Sequence, residues 1–540
     1  MQNLSLTRTS LLEKNWWESR QIVLPAFDLE AVTEKTTSSP TWLHFGAGNI
    51  FRGFVARLQQ DLLNRGLADT GIIAADTFDY EIIDRIYRPY DNLTLMADLR
   101  PDGEVGYEVI GSVTEARKAD PDQPDEMARL IEIACAPSLQ MISFTITEKG
   151  YALNDMKGDF LPIVVKDMEN GPAAARHAMS IVCALLWNRF QNGAAPLALA
   201  SMDNCSHNGE KLQSSILTMA NAWKERGFVS EEFISYLQDP SRVAFPWSMI
   251  DKITPRPDAS VEAMIEKLGV SDMSPFTTGK GTFIAPFVNA EVPQYLVMED
   301  TFPNGRPQLE KAGVYMTDRN TVNLSERMKV TTCLNPLHTS LAVFGCLLGY
   351  TRISEEMKDS DLVSLITKMG YQEGLPVVTD PKILNPKEFL REVIEDRLPN
   401  PFMPDAPQRI ATDTSLKVPI RFGETIKSYI ASPDLDVRSL TYIPLSIAGW
   451  LRYLLGIDDA GKEMPLSSDP LLSELQAPLK DVHFGDPDSV RGKLSPLLSN
   501  PTLFGSDLVA CGLGEKIEKM VSEMLSGPGA VRDTLAKYVR

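Results

Sequence analysis

The chain has 540 residues, 53 of them basic and 72 acidic, for a net charge of −19 with histidine neutral. That length sets a prior of several domains with sizeable cores, and the acidic balance works against nucleic acid or an anionic membrane as a partner. Hydrophobic residues at 43 % beside charged residues at 23 % are ordinary for a globular protein and exclude long disorder, collagen-like repeats and coiled coil.

The six cysteines, Cys135, Cys183, Cys205, Cys333, Cys346 and Cys511, contain no CxxC pair, which favours a reducing compartment. The N-terminal segment lacks the apolar core of a signal peptide. The longest apolar stretch, Leu337 to Tyr350, is too short to span a bilayer. A cytoplasmic protein is expected.

Thr41 to Phe45 reads as a buried strand that runs into Gly46-Ala47-Gly48. Ile50 to Arg65 then places Phe51, Phe54, Val55, Leu58, Leu62 and Leu63 at helical spacing. Gly71 to Ala75, ending in Asp76, suits the next parallel strand. Met141 to Thr147 and Pro196 to Met202 are further strands, with a helix over Ala173 to Phe190 between them. From about Asn320 helical periodicity dominates, over Leu337 to Tyr350, Ile353 to Met369, Pro386 to Asp396, Ile443 to Leu455 and Glu515 to Lys537. The expected architecture is an α/β N-terminal domain, residues 1–318, followed by a mostly α-helical C-terminal domain, residues 319–540.

Glycines after a first strand let backbone approach a pyrophosphate at a helix N-terminus. Gly46, Gly48 and Gly53 are spaced GxGxxxxG, longer than the common GxGxxG, and the same pattern fits a turn with no ligand. Asp76 at the end of the second strand is placed to accept hydrogen bonds from an adenosine ribose, which favours NAD over NADP. Asp79 competes for that role.

One segment, Arg327 to His338, gathers lysine, threonine, cysteine, asparagine and histidine. Carbonyl reduction needs a proton donor and a dipole for the developing negative charge, and Lys329, Asn335 and His338 are of the right types. Asn335 and His338, three apart, share a helix face. Periodicity alone reads Lys329 equally as a solvated lysine and Asn335 as an N-cap before Pro336. Metal chemistry finds no support, because no two histidines make HxxxH and none has zinc-ligand spacing with cysteine.

GxGNxxRG from Gly46 to Gly53, TxTEKGY from Thr145 to Tyr151, DNxxxNG from Asp203 to Gly209, SMIDKITP from Ser248 to Pro255 and FPNGRP from Phe302 to Pro307 accompany that segment. RIATDTSLKVPIRF from Arg409 to Phe422 and PLSIAGWLRY from Pro444 to Tyr453 follow. Together, in this order over nearly the whole chain, they resemble the polyol-specific long-chain dehydrogenase family. The resemblance implies a Rossmann-like NAD domain, a helical C-terminal domain, a cleft active site between them and metal-independent hydride transfer. By position, Lys329 resembles the general acid/base, Asn335 and Asn204 the oxyanion-side donors, and His338 a substrate-orienting group. Asn208, Asp251, Arg409 and Lys417 match substrate-side positions, and Gly46, Gly48, Asn49, Gly53, Asp76, Glu148 and Lys149 the cofactor side. In the oxidative direction Lys329 must be neutral to accept a proton, so burial or nearby charge is expected to lower its pKa.

Two departures stand out. Family members usually have lysine and asparagine five positions apart, whereas Lys329 and Asn335 are six apart. One extra residue turns a regular helix by about 100°, so a π-bulge or break is expected between Lys329 and Pro336. Trp247 stands where the family often has asparagine, which implies a remodelled substrate pocket. The resemblance implies NAD-dependent interconversion of a keto-hexuronate and an aldonate, D-fructuronate and D-mannonate, with tagaturonate reduction or mannitol oxidation as alternatives. A non-catalytic NAD(H)-binding sensor is the reading from another class. A small-molecule sugar acid or polyol is the expected partner of a monomer, without nucleic acid or membrane.

Overall fold

The computed structural model describes residues 3–155 and 157–540. The chain divides into two compact units, the first ending at Asn323 and the second running from Leu324 to Arg540, with Pro101–Gly103 grouped with the second.

Six strands of the first unit form one parallel sheet. They are β1 Trp42–Phe45, β2 Ile72–Asp76, β3 Val113–Lys118, β4 Met141–Phe144, β5 Leu197–Ser201 and β6 Val243–Ala244. Their spatial order is β3-β2-β1-β4-β5-β6, the doubly wound order in which strand direction of growth reverses between β1 and β4 and ligands sit beyond the strand C-termini. Successive side chains alternate between faces. Leu43, Phe45, Ile73, Ile142 and Leu199 pack on one side with Leu185 and Trp223, while Trp42, Ala74, Met141 and Ala198 pack on the other with Phe54 and Leu58. Covering both faces explains why β1, β2, β4 and β5 read as mostly apolar runs and not as apolar and polar residues in alternation.

Antiparallel pairs also occur in this unit, Thr94–Leu99 with Val105–Ile110 and Ser248–Asp251 with Tyr295–Glu299. The first of these, and β3, escape sequence reading because Val105–Ile110 and Val113–Lys118 are only partly buried and carry polar residues. The strand expected over Met141 to Thr147 stops at Phe144, and Thr147 opens a short helix. The helix expected from Ala173 starts only at Ala178, behind the one turn of 3₁₀-helix at Pro172–Ala174.

The second unit is helical. Its central helix, Asn335–Leu348, is buried from Leu341 to Leu347 and packs against Pro407–Ile410, Thr414–Arg421, Ser360–Lys368 and Tyr442–Tyr453. Two long helices expected from periodicity are each broken. Asp359 caps a fresh start at Ser360 within Ile353 to Met369, and Gly527 and Gly529, both at positive φ, separate Gly514–Met524 from Ala530–Val539.

The helical run Arg319–Leu348 is longer than Leu337 to Tyr350 suggested, and by length and composition it is sufficient to cross a membrane. Some 78 % of its apolar window is buried inside the protein, as in the core helix of a globular fold.

Candidate active site

Gly46 follows β1 with φ +102°, and a Cβ there would lie 2.1 Å from the carbonyl oxygen of Thr145 at the end of β4. Only glycine lets these two strand ends close up. Beneath the turn, Trp42 Nε1 donates to Ser143 Oγ at 2.7 Å, His44 Nδ1 meets Ser143 Oγ at 2.6 Å, and His44 Nε2 meets Thr145 Oγ1 at 2.8 Å. Thr145 Oγ1 in turn donates to Gly46 O at 3.1 Å. The chain of donors closes with His44 neutral and its proton on Nε2. Burial holds that imidazole low, at about 3.

A Cβ built on Gly48 meets nothing within 4 Å, whereas one on Gly53 would lie 2.8 Å from Val288 Cγ1. The lack of a side chain at Gly53 is thus explained by packing within the protein, a reason separate from the cofactor role expected for it. It lets the π-helical turn Phe51–Val55 sit close on the strand Phe287–Glu291. Asn49 accepts from Arg52 Nη2 at 2.8 Å and donates to Pro255 O at 3.4 Å.

Asp76 ends β2 and accepts the backbone N–H of Ala47 at 3.1 Å on Oδ2, and those of Phe78 and Asp79, each at 2.8 Å, on Oδ1. Burial raises its pKa and these three bonds oppose the rise. Oδ2 keeps capacity for a second donor. Asp79 is instead engaged by Thr278 Oγ1 at 2.6 Å. A glycine turn at the reversal point of the sheet, open ground at Gly48 and a carboxylate at the end of β2 suit a dinucleotide with a free ribose diol.

Glu148 and Lys149 lie exposed on the helix Thr147–Tyr151, not at a strand end, and Glu148 pairs with Lys211. Asp203, just past β5, holds that helix start by accepting from Ile146 N and Thr147 N, both at 2.9 Å, and from Tyr151 Oη at 2.6 Å. Asn204 beside it is exposed.

Asn208 corrects the substrate-binding expectation. It is 0 % exposed, its Nδ2 donates to Ser248 Oγ at 2.9 Å and Asp203 O at 3.1 Å, and its Oδ1 accepts from Ser248 N at 3.0 Å. Its amide is fully engaged in joining the β5 loop to the strand Ser248–Asp251. Asp251 ends that strand, buried. Trp247 lies between the His207 ring, 4.6 Å away, and the Arg319 guanidinium, 4.9 Å from its centroid.

In the second unit the expected helix irregularity is present. Lys329–Cys333 is π-helical, with Leu334 N donating to Lys329 O five residues back at 3.1 Å. Leu334 leaves the helical region at φ −128°, and a new α-helix begins at Asn335. The extra residue is absorbed in this wide turn, and Lys329 is 2 % exposed. Asn335 is the first residue of the helix and caps nothing, so the capping alternative falls. Among the described residues its carboxamide makes no hydrogen bond.

His338, one turn on, has Nε2 3.4 Å from Asp405 Oδ2. Arg409, exposed, pairs with the other oxygen of Asp405. Lys417 Nζ donates to Ile410 O at 2.9 Å and to Thr412 O. Burial, and then the charges of Arg421 and Arg409, push its pKa down to about 8 against the pull of Asp413. Asp405 and Arg421 were not singled out from sequence, although each lies four residues from a chosen one, Asp405 before Arg409 and Arg421 after Lys417, which is the helical neighbour spacing.

Comparison with known proteins places both units. Residues 40–311 match the mannitol dehydrogenase Rossmann domain and residues 322–524 the mannitol dehydrogenase C-terminal domain. The chain is 54 % identical over 538 residues to the D-mannonate oxidoreductase of Thermotoga maritima, covering 99 % of each. Among solved structures it resembles a substrate-free D-sorbitol dehydrogenase at TM-score 0.79 and 25 % identity, covering 95 % of this chain and 97 % of that one. It has the fold of Pseudomonas fluorescens mannitol 2-dehydrogenase, solved as a ternary complex with NAD and D-mannitol, at TM-score 0.69 and 24 % identity over 99 % of both. An α/β Rossmann unit followed by a helical unit, matched over both parts, makes this chain a member of the mannitol dehydrogenase family.

Proposed function

We propose that this enzyme is an NAD-dependent oxidoreductase that interconverts D-fructuronate and D-mannonate. The observation that carries the reading is 54 % identity to a D-mannonate oxidoreductase over essentially the full length of both chains. The balanced reaction is D-fructuronate + NADH + H⁺ giving D-mannonate + NAD⁺.

NAD(H), when bound, supplies or takes the hydride. Gly46, Gly48 and Asp76 would hold it, with Asn49, Glu148 and Lys149 also on the cofactor side. Lys329 donates the proton to the carbonyl oxygen in reduction and accepts it back in oxidation. Its burial supports this role, because a desolvated ammonium gives up its proton more readily. Asn335, whose amide makes no hydrogen bond among the described residues, steadies the developing alkoxide together with Asn204. His338 orients the substrate hydroxyls, and Arg409, Lys417 and Asp251 complete the substrate side. The six cysteines are free thiols, which fits a cytoplasmic enzyme, and we take it to act as a monomer.

The test is NADH oxidation with D-fructuronate, D-tagaturonate and D-fructose side by side, repeated with Lys329→Ala. D-fructuronate is expected to give the highest kcat/KM, and the variant to lose most of kcat while retaining NADH binding. Highest kcat/KM with either competitor would replace the substrate. Tight NADH binding with no turnover of any would favour the sensor reading.

A further inference from the structure

We propose that Arg421, with Lys417, receives the carboxylate of the sugar acid and is the residue that selects it over a neutral ketose or polyol. This rests on the reaction proposed above and names its specificity determinant.

The helix Thr414–Arg421 carries Lys417 and Arg421 one turn apart. Arg421 Nη1 donates to Thr339 Oγ1 at 2.6 Å, which ties the guanidinium to the helix that carries His338. Among the described residues, no carboxylate lies within 4.0 Å of either cation. Buried arginines elsewhere in this chain are held in one of two ways, by carboxylates, as Arg57 is by Asp98 and Glu108, or by several backbone carbonyls, as Arg189 and Arg452 are, whereas Arg421 has only the Thr339 hydroxyl among the described residues. Arg421 thus keeps most of its donors for a ligand, while Lys417 feels Asp413 and Asp469 at longer range and donates to Ile410 O and Thr412 O.

The cost of the arrangement is visible. Burial brings Arg421 down to about 10, and Lys417 is lowered by burial and then by Arg421 itself. Like charges partly stripped of water oppose one another until an anion joins them. Arg421 is only partly buried, and a single N–H of its five is engaged. The rest of its planar fork suits the two oxygens of a carboxylate, with Lys417 as a second point charge. Arg409 is a poorer candidate for this role, because Asp405 already neutralises it.

The readout is the ratio of kcat/KM for D-fructuronate to that for D-fructose, in the wild type, Arg421→Met and Arg421→Lys. Truncating one partner of a charge-paired contact is expected to lower this ratio about 30-fold or more, chiefly through KM, with partial recovery in Arg421→Lys. Equal losses on both substrates, leaving the ratio unchanged, would overturn the proposal and leave Arg421 a structural residue.

Fructose 6-phosphate is the control for the other anion. A higher wild-type kcat/KM on it than on D-fructuronate would make this a phosphate site and overturn the carboxylate assignment. If the wild type does not reduce D-fructuronate, calorimetric binding of D-mannonate decides. Binding that Arg421→Met abolishes supports the anion site while the reaction assigned above falls. Absence of binding overturns both.

Discussion

Asp405 joins two substrate-side candidates: its Oδ2 lies 3.4 Å from His338 Nε2, and its other oxygen accepts from Arg409. Burial works to raise this carboxyl, but His338 and Arg409 more than offset it and hold it below the ordinary value. It is thus ionised throughout the neutral range, and its charge is lost as pH falls through that lowered pKa. His338 Nε2 is buried with no hydrogen bond of its own, so the carboxylate sets the electrostatic environment of a ring atom free to meet a ligand.

Asp405→Asn keeps the shape and removes the charge. The expected outcome is a fall of about fivefold in kcat/KM, from the loss of a carboxylate that faces the imidazole at 3.4 Å, a contact worth about 1 kcal/mol. Asp405→Glu, which returns the charge, should restore part of it, and steady-state kinetics of the three proteins check this. A variant indistinguishable from wild type would mean that the pair does not position the imidazole.

The parallel sheet was legible because β1, β2, β4 and β5 are buried on both faces and so are mostly apolar, with His44, Asp76, Ser143 and Ser201 as the polar exceptions. The partly buried β3 and the hairpin Thr94–Leu99 with Val105–Ile110 gave no such signal, since their pairing is decided by neighbours distant in sequence. The site divides along the same line. Lys329, Asn335 and His338 lie within one stretch, and the extra residue between the first two foretold the π-helical turn. Asp405 and Arg421 act through contacts to His338 and Thr339 that only the packing of separate helices creates. Asn208 looked like a site residue because buried structural asparagines and ligand-binding ones occupy the same kind of loop after a strand.

Glu356 predicts the alkaline limb of stability. Its carboxyl is 0 % exposed, neither oxygen has a hydrogen-bond partner, and it faces Gly345, where a Cβ would lie 2.1 Å from Oε1. Burial, helped by Asp359, pushes its pKa up to about 9. Between the ordinary carboxyl value and that figure the folded protein binds this proton and the unfolded chain does not, so stability falls as pH rises, by at most about 1.4 kcal/mol per pH unit. Glu356→Gln removes the titration. Urea unfolding should show the variant gaining on wild type from pH 5 to pH 8, and a constant difference would assign the carboxyl an ionised state in the fold.

Gly46 and Gly48 separate folding from binding. Alanine at Gly46 must drive its methyl into the Thr145 carbonyl at a backbone φ of +102°, a combination of clash and strain expected to cost several kcal/mol and to lower the melting temperature. Alanine at Gly48 meets no protein atom within 4 Å, and its backbone lies outside the left-handed region, so the apoprotein should melt within a few degrees of wild type. Among the described residues nothing opposes that methyl, so what it would obstruct is a ligand lying against the turn. NADH titrated by fluorescence into Gly48→Ala should therefore bind about tenfold or more weakly while stability holds. Undiminished NADH affinity in a well-folded Gly48→Ala protein would move the cofactor away from this turn, because a pyrophosphate resting on the backbone leaves no room for the added carbon.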